Sequence, residues 1–138
     1  MGLEDLQKGR LGMHEHKTAP AVREATGTAG KGYESTHVVP QAVYRAIGAN
    51  PDNALALNLP KSLNTAIDAG WKPNWERAFK LGKQITGADV RNWVGQSIQD
   101  VPENLLSKAA KGALEERLDV ELRGLGITAN TVVVPGIR

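Results

Sequence analysis

With 138 residues and a mass of 14.8 kDa, the chain has the size of one domain with one buried core. It contains no cysteine, which excludes a disulfide scaffold, a thiolate nucleophile and a Cys-ligated zinc or iron–sulfur site, and only three histidines, His14, His16 and His37. The formal net charge of +2 is too small to argue from as a total, but all of the excess lies after residue 70.

Residues 1–31 are rich in Gly, Ala, Thr and charge, with apolar residues too sparse for a continuous buried stripe, so this segment is expected as an arm or linker with one short helix near 21–25. His14 and His16 fall inside it. Being two apart they would share one face of a strand, yet they read as surface residues of the arm. From Tyr33 the texture changes. GYESTHVVP is a β-branched and aromatic run ending at Pro40, the pattern of a short strand leading into a helix, and it puts His37 at the strand end. QAVYRAI suits a short helix stopped by Gly48 and the turn residues of GANPDN, and ALALNLP reads as a second short strand.

Helices dominate the rest. Leu63, Ile67 and Trp71 recur every four residues on one inward face, with Asn64 and Asp68 together on the adjacent one. PNWERAFKLGKQI is expected as a further helix, with Trp75, Ala78, Phe79, Gly82 and Ile85 at helical spacing. Trp71, Trp75, Phe79 and Trp93 are candidates for base stacking, but their spacing favours core packing. Thr86 and Asp89 form a capping box for the helix carrying Val90, Trp93, Val94, Ile98 and Val101. A long helix is expected over 102–123 with Pro102 in its first turn, and TVVV offers a last strand. No apolar run approaches the roughly 18 residues of a membrane span, and the N-terminus lacks an export-signal pattern.

Between residues 72 and 91, Lys72, Arg77, Lys80, Lys83 and Arg91 face only Glu76 and Asp89, a candidate phosphate-facing stripe or an ordinary solvated helix face. The sharpest constellation is His37 at a strand end, a polar turn with Asn53, and a helix bearing Asn64 and Asp68. Phosphodiester hydrolysis needs a base to deprotonate water and a cation for the charge that develops on the phosphate. One histidine and one or two oxygen ligands can supply both, because Mg²⁺ keeps several waters. A histidine after a strand also commonly serves structure, donating a ring N–H to a neighbouring carbonyl.

ESTHVVPQAVYRAIG, followed by NPDNALALNLPKSLNTAIDAGW and a helical tail, resembles the C-terminal toxin domains of bacterial Rhs and related polymorphic toxins. Among those it most resembles the HNH-type nucleases of the His-Me finger (ββα-metal) superfamily, over about residues 33–80. The resemblance implies an α+β, predominantly helical domain over 32–138, with a short two-stranded ββα-metal-like core and a C-terminal helical bundle. It implies His37 as general base, Asn53 as the loop residue that steadies the site, and Asn64 with Asp68 at the helical position of a divalent metal, Mg²⁺. It further implies a nucleic-acid substrate, a larger Rhs-type delivery protein, a contact-dependent or type VI-like route into the cytoplasm of a target cell, and a cognate, acidic immunity protein. Two other readings stand beside it: a metal-independent ribonuclease toxin using His37 and a second group through the 2′-hydroxyl, and a non-enzymatic helical module whose basic stripe docks nucleic acid or an acidic protein.

Overall fold

The computed structural model describes residues 6–9, 13–25, 30 and 32–137. The chain is a mixed α+β fold, mainly helical, whose elements run β1 (Met13–Glu15), α1 (Ala19–Ala25), β2 (Tyr33–Thr36), α2 (Gln41–Ala46), β3 (Leu55–Pro60), α3 (Lys61–Lys80), β4 (Ile85–Thr86), α4 (Gly87–Asp100), α5 (Lys108–Gly124) and β5 (Val132–Val134).

Three strands form an antiparallel sheet in the order β1-β3-β2, with Met13 opposite Leu57 on one side of β3 and Thr36 opposite Leu57 on the other. Residues 56 to 59 of the central strand are all buried, which explains why ALALNLP alternates only weakly: both faces of β3 are covered. Leu57 and Leu59 join the main core with Ile67, Ile98 and Leu114 of the helices, while α1 contacts all three strands. β2, β3 and α3 thus follow one another as strand, antiparallel strand and helix, with α2 and a tight turn at Pro51–Asn53 inserted between the strands.

The expected break before Pro73 does not occur. α3 is one helix of 20 residues running through that proline. Ala69 and Pro73 both lie on its exposed side, where water can satisfy the carbonyl that proline leaves without a partner, and Leu63, Ile67, Trp71 and Ala78 bury the other side. α3 approaches α4 so closely at Gly70 that a Cβ there would overlap Ser97, whose buried hydroxyl donates to the carbonyl of Ile67. α4 carries the expected capping box: the Asp89 N–H donates to Thr86 Oγ1 (3.3 Å) and the Thr86 N–H to Asp89 Oδ2 (3.0 Å). The helix expected from residue 102 begins instead at Lys108, because Pro102 opens a separate turn and Ser107 caps the helix by accepting from the Ala110 N–H (3.1 Å). β4 and β5 pair antiparallel beside the helices.

The segment expected as an arm contributes to the fold wherever it is described. Leu6 is 1% exposed in the core, and β1 occupies a sheet edge. The Gln7 side chain accepts from the Ser107 N–H (2.6 Å) and donates to the Leu105 carbonyl (2.8 Å), tying the start of the chain to the turn before α5. Sparse apolar content did not reveal this, since the attachment is carried by one buried leucine, the hydrogen bonds of one glutamine, a strand of three residues and a short helix. Among the tryptophans, Trp71 is buried and Trp75 and Trp93 pack against the core, but Phe79, expected inside with them, is 59% exposed. No helix among the described residues is long and apolar enough to cross a membrane.

Candidate functional site: a cleft between the strand end and a helix

His37 follows β2 directly. Val38 and Val39, buried beside it, and Pro40 at the start of α2 fix the backbone there. Its Nε2 lies 2.9 Å from the carbonyl oxygen of Pro51, and its ring meets Tyr44 edge-on, with centroids 5.6 Å apart. A carbonyl only accepts, so Nε2 carries the hydrogen in this contact. Tyr44 is held un-ionised: burial first, then the charge of Glu121, push its phenol up to about 12 against the opposing charge of Arg117. The anchoring loop is the Pro51–Asn53 turn, opened by Asn50, whose side chain accepts from the Asp52 N–H (3.0 Å). Asn53 ends this turn, and its side chain lies outside the described part of the structure, as do those of His14 and His16.

His37, Asn64, Asp68 and Lys72 line one cleft of about 270 Å³, together with Gln41 and Arg45 of α2 and the indole of Trp71. Asn64, Asp68 and Lys72 project from α3 four residues apart. Asparagine is a poor helix former, and its presence here has a specific reason: its Nδ2 donates to Glu34 Oε2 on β2 (3.2 Å). Trp71 Nε1 donates to Asp68 Oδ1 (3.0 Å). The Asp68 carboxyl is nevertheless raised above its ordinary value. Burial is the largest cause and Glu34 adds to it, while the Trp71 hydrogen bond and the charge of Lys72 act the other way. Arg45 sits in the last turn of α2, its Nη2 donating to Gln41 Oε1 (2.9 Å). A second depression of about 580 Å³, bordered by Lys17, Tyr33, Glu34 and Asp52, continues the cleft across Ser35, Gln41 and Asn64. Beneath its floor a space of about 20 Å³ is bounded by Thr36, His37, Asp68 and core leucines.

Four of the expected site residues therefore meet in one place. Of the basic stripe, Lys72 alone lines this cleft. Arg77, Lys80 and Lys83 lie along and beyond the second half of α3, outside the cleft lining. Arg91 is taken up by acids of α5, with Nε 2.6 Å from Asp119 Oδ1 and Nη1 3.2 Å from Glu115 Oε1, in space that Gly95 leaves open. Sequence reasoning missed Arg45 and the clamps on His37 and Asp68. The i, i+3 spacing of Asp68 and Trp71 and the i, i+4 spacing of Gln41 and Arg45 were the available signals. Of the side chains expected at the metal position, Asn64 donates through Nδ2 to Glu34 and Asp68 accepts at Oδ1 from the Trp71 indole, so Asn64 Oδ1 and Asp68 Oδ2 are the oxygens a divalent cation would take. Among the described residues no three histidine, aspartate or glutamate side chains are grouped to hold an ion. Compared with family models, curated proteins and solved structures, the chain matches none.

Proposed function

We propose that the chain is a toxin domain that cleaves phosphodiester bonds of nucleic acid, with His37 as its general base. The observation that carries this reading is the gathering of His37, Asn64, Asp68, Arg45 and Lys72 on a single cleft. The Pro51 carbonyl anchors the imidazole through Nε2 at the cleft edge, and an imidazole held there is the residue type suited to take a proton from a water or hydroxyl nucleophile. Arg45 and Lys72 stand on opposite elements of the cleft and supply positive charge for a phosphate. Asn64, oriented by Glu34, adds polar groups for the sugar–phosphate backbone. The order strand, strand, helix around the histidine supports kinship with the His-Me finger nucleases in arrangement.

Delivery from a larger Rhs-type protein into the cytoplasm of a target cell, and neutralisation by an acidic immunity protein, belong to the same proposal. An inhibitor covering a phosphate-binding cleft gains by presenting carboxylates to Arg45 and Lys72. The test is to incubate the full chain and its His37→Ala variant with plasmid DNA and total RNA, with and without Mg²⁺ and EDTA. Cleavage by the parent chain, reduced at least 100-fold in the variant, is the expected outcome. Equal cleavage by both, or none by either, overturns the reading.

A further inference from the structure

We propose that the C-terminal end of α3, together with the segment that follows β5, is a docking tip for an anionic lipid surface, separate from the cleft. Three large apolar side chains meet solvent there: Phe79 in the last turn of α3 and Leu81 just after it, each 59% exposed, and Ile137, 76% exposed. The fold holds the two segments together. The Ile137 N–H donates to the Gly82 carbonyl (2.8 Å), and a Cβ added at Gly82, whose φ is +66°, would lie 3.3 Å from the Cβ of Ile137. Gly136 packs against Gln84 beside them. A single exposed apolar side chain needs no explanation, but three on two segments held in contact form a patch.

The charge carried by these segments is of one sign. The sequence has no acidic residue between Glu76 and Asp89 and none after Glu121, whereas Arg77, Lys80 and Lys83 fall within the first of these stretches and are exposed. Among the described residues no ion pair or side-chain hydrogen bond engages these three cations, in contrast to Arg91, which Asp119 and Glu115 take up. The basic residues that the cleft does not use therefore gather where the apolar ones are exposed.

A partner for this tip must offer negative charge and an apolar phase together. Nucleic acid supplies the charge and a base to stack on Phe79, but Leu81 and Ile137 have no ring for a base to stack on. An acidic protein can bury the apolar side chains, yet protein interfaces are depleted in lysine, and two of the three cations here are lysines. An anionic bilayer supplies both: Phe79, Leu81 and Ile137 reach the acyl boundary, while the lysine stems lie along apolar surface and their ammonium groups stay among the phosphates.

The experiment mixes the full chain with vesicles of phosphatidylcholine alone, and of phosphatidylcholine with an equal part of phosphatidylglycerol, and measures the fraction that sediments with them. Binding to the anionic vesicles about 10-fold or more tighter than to the neutral ones, and weakened by salt, is the expected result. Lys80→Glu combined with Lys83→Glu should weaken it about 10-fold or more. Phe79→Ser combined with Leu81→Ser should do the same while keeping the salt dependence, since it removes apolar contact and no charge. Thermal melts check that both variants are folded, and Ile137→Ser supplies the apolar comparison if the double serine variant melts early. Lys108→Glu, a reversal in the first turn of α5, should leave binding within about 3-fold. Equal binding to both kinds of vesicle, binding to neither, or binding that the tip substitutions leave unchanged overturns the proposal. Binding of single-stranded DNA that the same substitutions weaken, with no binding of vesicles, assigns the tip to nucleic acid and overturns it as well. Cleavage of nucleic acid is measured separately, so none of these outcomes decides the phosphodiesterase reading.

Discussion

His37 Nε2 and the carbonyl oxygen of Pro51, 14 residues apart, lie at 2.9 Å and fix the imidazole between a strand end and a turn. The second restraint on the ring is the edge of Tyr44, a phenol that stays un-ionised below about pH 12. Tyr44→Phe keeps that edge and should leave cleavage within about 3-fold, whereas Tyr44→Ala frees one side of the ring and should cost about 10-fold or more in rate, as loss of positioning does. Cleavage rates of the two variants, beside their thermal melts, check this. Equal loss in both would assign the phenol hydroxyl, and not the ring, the larger part.

Asp68 makes a stability prediction whose sign follows from its raised folded-state affinity for a proton. Below the ordinary aspartate range both folded and unfolded states hold the proton, and the group is neutral in its effect. As pH rises past that range the unfolded chain ionises first, so the folded state loses stability, and the loss persists at neutral pH. Asp68→Asn should therefore raise the melting temperature at pH 7, and the gain should vanish below about pH 4. Melts across pH 3 to 8 test it, and a variant less stable than the parent at pH 7 would contradict it.

The charge stripe gives a prediction about binding. Arg91 is committed to Asp119 and Glu115, whereas Arg45 and Lys72 line the cleft. Arg45→Ala or Lys72→Ala should each lower the salt dependence of single-stranded nucleic-acid binding by about 0.7 in the log–log slope. Arg91→Ala should leave that slope unchanged and lower stability by about 1 kcal/mol. Binding isotherms at several salt concentrations separate the two behaviours.

Where α3 and α4 touch, Gly70 faces Ser97 with no space for a side chain. Gly70→Ala improves helix propensity, yet overpacking of this kind costs about 1–3 kcal/mol, so the net effect is destabilising. A urea melt with a lower midpoint is the expected result, and an unchanged or higher midpoint would show that the helices can move apart freely.

The attachment of the early chain is testable through Leu6, which is 1% exposed. Leu6→Ala should cost about 2–5 kcal/mol, as for other buried leucines. A detached arm would tolerate the change without effect on the thermal midpoint.

Much of the architecture was legible residue by residue. The β-branched and aromatic run from Tyr33 to Val39, the capping pair Thr86 and Asp89, and the four-residue spacing of Leu63, Ile67 and Trp71 are local signals, and each element they predict is present. Asn64, Asp68 and Lys72 share the cleft because helical geometry alone places positions four apart on one face. Other features depend on packing between distant segments. Pro73 stays inside α3 because both halves of the helix are buried on one side, which outweighs one lost hydrogen bond. Gln7 reaches Ser107 through hydrogen bonds that follow no period in the sequence. Phe79 faces solvent although its spacing suits the core.

The sequence by itself determined that chemistry in this chain must use imidazole and oxygen, that His37 ends a strand, and that the chain is α+β and mainly helical, because composition and short-range periodicity constrain those properties directly. Tertiary structure decided which charges face the cleft, bringing in Arg45 from another element and assigning Arg91 to ion pairs. It also decided the environments of His37 and Asp68. A proton affinity or a tautomer is set by burial and by the nearest donors and acceptors, and for His37 and Asp68 these come from the Pro51 turn, β2 and the helix face of Trp71 and Lys72.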